Sequence, residues 1–160
     1  MGFWHWVGVR FVTIDAIYGL ILYAALIAAT SDTDSHSDSV LFFSFFSLLI
    51  FWGAHIYAGT IVNHAANTPL VTAIWAAMKH SSGMLWASVV PSIPLLLGAF
   101  KVLDDFAAVE FALLAATVLL FLLGYHAFSR RGAKIVTRVF GGIGTALFGS
   151  LVILLNAAVH

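Results

Sequence analysis

The chain contains no cysteine. That excludes disulfides, thiolate metal ligands, iron–sulfur clusters and a cysteine nucleophile together. Charge is almost as scarce: Asp, Glu, Lys and Arg make up 9% of the residues and cancel, seven acidic against seven basic. Neither a nucleic-acid footprint nor an acidic tail is indicated. Only three prolines occur, Pro69, Pro91 and Pro94. There is no Walker loop, glycine-rich dinucleotide turn, HExxH or serine–histidine–acid order, so nucleotide, zinc-protease and nucleophilic chemistry have no motif and an enzyme is the minority expectation.

What fills the chain instead is apolar surface. The hydrophobic share is 62% and the mean hydropathy +1.04, against the roughly 45–50% apolar content of soluble domains. A globule of 160 residues has too little interior to hide that much, whereas about 20 apolar residues cross a bilayer as a helix. The expected fold is therefore an all-α integral membrane helical bundle, one domain over residues 1–160, solvated by the lipid bilayer. Five spans are predicted at about 7–29, 40–62, 84–103, 106–127 and 137–159. Leu26 to Ala29 loosely resembles a signal cleavage region, but the preceding apolar run is too long for a signal peptide and is expected to be a retained span.

Between spans two and three, Thr68 is suited to cap a helix and Pro69 to its first turn, and Leu70, Val71, Ile74, Trp75 and Met78 recur at helical spacing. This predicts a short interfacial amphipathic helix from Pro69 to His80, ended by Ser81-Ser82-Gly83. Pro91 and Pro94 then fall inside span three, where they delete backbone donors and should kink the helix.

With five spans, a cytoplasmic N-terminus puts Arg10, Lys79, Arg130, Arg131, Lys134 and Arg138 inside, six of the seven basic residues. The other side receives Asp32, Asp34, Asp38, Asp104, Asp105 and Glu110. The positive-inside rule selects this orientation, with the C-terminus outside, and the expected location is a bacterial inner (plasma) membrane. Asp15 is the one acidic residue left within the membrane on the inner side.

Asp15 and His55 are predicted at similar depth, roughly 7–12 Å into the inner leaflet at ~1.5 Å per residue. A carboxylate in hydrocarbon is costly and usually marks an ion or proton path, and imidazole titrates near neutrality. A bland alternative is an inert network of Asp15 with Arg10 or with the Tyr18 hydroxyl. Around the pair, Trp52, Tyr57, Asn63 and His64 cluster at the inner end of span two and, with Arg10, Tyr18 and Leu20, are counted as candidate pathway residues. His55, His64, His80 and His126 map to the inner half, with His5 nearby, and of these His55, His64 and His126 are the candidates to ligate haem or a divalent metal, although His55 and His64 lie on opposite faces of one helix. In span five, Gly141-Thr145-Gly149 and Gly142-Ala146-Ser150 form two small-residue rows for close helix packing, against another span or a second protomer.

Arg10…Thr13-Ile14-Asp15, Ser44-Phe45…Trp52…His55 and the pair Pro91 and Pro94 resemble the bacterial and lysosomal potassium-channel family whose first helix carries an Arg…Phe-Ser-Asp motif. The likeness covers the first 100 residues or so; Thr13-Ile14 replaces Phe-Ser, and five spans replace six. It implies a pore lined by the first helix, with Leu20 near its constriction.

The expected function is an oligomeric channel or transporter for a small cation or proton, with a homo-oligomer as the partner and no cofactor. Two other classes stay open: a histidine-ligated haem or metal redox protein, and a non-conducting accessory subunit. The visible spectrum of the purified protein separates the first of these from the rest.

Overall fold

The computed structural model describes residues 13–33, 36–129, 132 and 134–159. Arg10, Asp34, Arg130 and Arg131, all placed above by sequence, lie outside the described residues. Five helices follow one another: α1 Ile14–Thr33, α2 Ser37–Ala65, α3 Leu70–Ala99, α4 Asp105–Ser129 and α5 Ile135–Val159. Each carries a stretch long and apolar enough to cross a membrane. Short connections fold them up and down, so the bundle has a turn end, with the α2–α3 connection and the start of α1, and a Lys101 end, with the α3–α4 connection.

One boundary differs from expectation and another lies outside the described residues, the start of span one near residue 7. Helix α1 begins at Ile14, where the Thr13 Oγ1 accepts the Ala16 backbone N–H at 3.1 Å, the geometry of an N-cap. Hydropathy cannot register a cap inside an apolar run. The interfacial helix and the third span are one continuous helix, α3, of 30 residues. Thr68 makes no side-chain cap; Pro69 occupies the cap position, its carbonyl accepting from Ala73 at 2.9 Å.

Gly83 does not end the helix because its bareness is used for packing: a Cβ there would lie 2.5 Å from Thr13 Oγ1 and 3.4 Å from the Ala16 nitrogen. The cap of α1 thus sits directly on the backbone of α3.

The α2–α3 turn closes by local chemistry. Asn67 takes the left-handed conformation, φ 64°. Its N–H then reaches the His64 carbonyl and that of Thr68 the Asn63 carbonyl, at 3.0 and 3.3 Å, a Schellman closure in which Asn replaces the usual Gly. At the other end, Asp105 accepts from both the N–H and the hydroxyl of Ser37, at 3.2 and 2.5 Å, and so caps α2 from 68 residues away. It also receives Lys101 Nζ at 3.0 Å, and that bond raises the Lys101 pKa above the ordinary lysine value.

Helix α1 packs against all four others, and it is the hub of the bundle. Tyr23, Ile27, Val40, Leu48, Met84 and Leu95 form one fully buried cluster, while Ala16, Leu20, Ala24, Ala87, Ala116 and Leu120 form another. Inside the first, Tyr23 Oη lies 2.7 Å from Ser92 Oγ. The small-residue rows of α5 lie largely against α4: Gly141 faces Phe128, Gly142 faces Phe121, Thr145 faces Gly124, and Gly149 faces Leu120. Ala146 and Ser150 are half-buried beside them. Helices α2 and α5 keep long rows of exposed apolar side chains, among them Phe42, Phe46, Ile50, Phe140, Leu147 and Leu151.

Candidate functional site

Asp15 stands in the first turn of α1, where unpaired backbone N–H groups and the helix dipole favour a negative charge. The residue is 4% exposed. Its position follows from Thr13: capping at that residue starts the helix and turns Asp15 inward against α2 and α3. His55 of α2 brings Nε2 to 3.3 Å from Asp15 Oδ1, and His80 of α3 brings Nε2 to 3.3 Å from Oδ2. Oδ2 has no hydrogen-bond partner, so His80 is within ion-pairing range but not in hydrogen-bond alignment.

The two imidazoles differ from the carboxylate in one respect. Their side chains are 44% and 79% exposed, against 6% for Asp15. They stand between a buried acid and the surroundings, which is the arrangement for handing a proton inward or outward. A cleft of about 490 Å³ leads to them between α2 and α3, lined by His55, Asn63, His80 and Ser81 among small residues. Gly59 and Ala77 hold the two helices close beside it, a Cβ on Gly59 coming to 3.2 Å from Ala77 Cβ. The opposite direction is sealed: Leu20, Tyr23, Ile27 and Met84 are wholly buried.

The other sequence candidates divide. Tyr18 stacks on His55, ring centroids 5.9 Å apart, and belongs to the site. Asn63 lines the cleft but spends its carbonyl on the turn. His64 directs Nδ1 to the Thr68 carbonyl at 2.9 Å and serves the turn. Trp52 packs on the core with its Nε1 buried and without a partner, and Tyr57 is 70% exposed on the outer flank of α2. Leu20 lies inside the packed second cluster rather than facing a lumen.

His126 is exposed near the end of α4, a helix that touches α2 at few points, whereas His55 is turned to Asp15. Among the described residues, no group of three or more His, Asp or Glu side chains has the geometry to hold a metal ion.

Sequence reasoning counted His80 among the inner-side histidines but missed its place beside Asp15. A helix lying on the membrane surface takes it away from Asp15; a continuous α3 brings it in. The usable signal was length, since 30 residues from Leu70 to Ala99 carry no proline before Pro91.

No protein-family model matches the chain. No curated protein and no solved structure matches it either.

Proposed function

We propose that the chain is an integral membrane protein that, as a homo-oligomer, moves a proton or small cation across the bilayer, with its N-terminus on the cytoplasmic side. One observation carries this: a carboxylate 4% exposed, at the end of the hub helix, with an imidazole 3.3 Å from each of its oxygens. Such a charge is expensive in an apolar bundle and is kept where it binds or relays ions. The sealed core beyond Asp15 favours a path completed between protomers, and the exposed apolar face of α5 offers surface for them.

Flux from proteoliposomes tests the proposal. Asp15→Asn keeps shape and hydrogen bonding but removes the charge, so it should abolish or strongly alter proton, sodium or potassium flux while the protein stays folded. His55→Gln should also lower the flux, since it removes the imidazole that faces Asp15 Oδ1 at 3.3 Å; Asp15, Tyr18 and His80 are the polar groups around it. An Asp15→Asn protein that melts much earlier yet conducts normally while folded would make the triad structural and overturn the proposal.

A further inference from the structure

A second cavity lies away from Asp15. It is a groove of about 790 Å³ between α2 and α3 towards the Lys101 end, within the ~300–1,000 Å³ range of small-molecule pockets. Its walls are aromatic and aliphatic, with Phe42, Phe45, Phe46 and Trp86 the largest groups. Phe46 packs on Phe42 at 4.4 Å and edge-on to Phe45 at 6.1 Å, which presents ring faces along one wall.

The polar groups in this groove are few and mostly spent. Ser88 donates to the Leu85 carbonyl and Ser92 to the Ser88 carbonyl, both at 2.8 Å, and Ser82 donates to the Lys79 carbonyl at 2.9 Å. Asp38 is the one charged residue in the lining. It is exposed, in the first turn of α2, and the basic residue that feels its charge, Lys101, is bonded to both carboxylate oxygens of Asp105.

An apolar trough with a single carboxylate at its mouth selects a ligand with an apolar body and one positive charge. A phospholipid fits less well: its acyl chains need no carboxylate, and its phosphate is repelled by one. We propose that the groove binds amphipathic organic cations, the body against Phe42, Phe45, Phe46 and Trp86 through burial and cation–π contact, the charge beside Asp38. This site is independent of the part assigned to Asp15.

The test is equilibrium binding of tetraphenylphosphonium to the full chain in phosphatidylcholine nanodiscs, with protein-free nanodiscs as background. Saturable binding is expected, weakened about tenfold by Asp38→Asn and restored by Asp38→Glu, and weakened also by Trp86→Ala. Two arms need no variant: added salt should weaken binding, and neutral triphenylphosphine oxide should bind about tenfold less tightly than the cation. Equal binding of the neutral compound would reduce the groove to a seat for acyl chains, and no saturable binding would remove it as a site; either outcome overturns the proposal.

Discussion

Ser92 gives its only hydroxyl proton to the Ser88 carbonyl, so the 2.7 Å contact with Tyr23 runs in one direction, from the tyrosine hydroxyl to the serine oxygen. The two residues are therefore unequal. Tyr23→Phe removes a donor and leaves Ser92 with its backbone partner, at a cost of about 0.6 kcal/mol, the average for interhelical hydrogen bonds in a membrane bundle. Ser92→Ala strands a fully buried phenol hydroxyl and should cost more, about 1–3 kcal/mol. Unfolding of both variants in mixed micelles measures the order; equal losses would mean that the donor is misassigned.

At Gly98, α3 packs tightly against both α4 and the start of α2. A Cβ there would lie 2.5 Å from Ser37 Oγ and 2.6 Å from Ala108 Cβ. Gly98→Ala should destabilise by about 1–3 kcal/mol, the usual cost of overpacking, even though alanine is the better helix former. A stabilised variant would show that these helices separate easily.

Ser37→Ala deletes one of the two bonds from α2 to Asp105 and should cost about 1 kcal/mol, read as a lower melting temperature.

Lys101 holds the same carboxylate, and its raised pKa sets the sign of a pH effect. Its contribution is complete below the ordinary lysine value of 10.5 and is lost as pH rises through the elevated one. The melting difference between the wild type and Lys101→Met should therefore stay level through neutral pH and shrink in strong alkali. A difference that vanished near pH 7 would contradict this.

Orientation can be read by labelling, helped by the absence of native cysteine. In intact cells, Asp104→Cys should react with an impermeant maleimide and Ala66→Cys should not. The reverse pattern would invert the proposed topology.

Much of the architecture is visible in hydropathy, since five long apolar runs separated by polar connections can form little but helices. Residue rise alone also puts Asp15 near the depth of His55. The parts that escaped depend on contacts distant in sequence. The bond from Asp105 to Ser37 has no local signature, and neither does the seat of Thr13 on Gly83. A glycine after two serines reads as a helix end because Gly costs about 1 kcal/mol in a helix interior; only the neighbouring helix reveals why α3 tolerates it. Once α3 is continuous, His80 follows.

Helix lengths have a further consequence. At ~1.5 Å per residue, the 20 residues of α1 extend about 30 Å, matching the hydrocarbon thickness of an ordinary bilayer, while α2 and α3, with 29 and 30 residues, exceed it by about 15 Å. The excess falls at the turn end, where Ile61, Val62, Leu70, Val71 and Trp75 are exposed. A bilayer can accommodate it by tilting the α2–α3 hairpin or by thickening locally. In the membrane placement proposed above, bilayer thickness would thus act on the two helices that carry His55 and His80 more than on the described part of the one that carries Asp15, making lipid chain length a mechanical input to the distance between acid and imidazole.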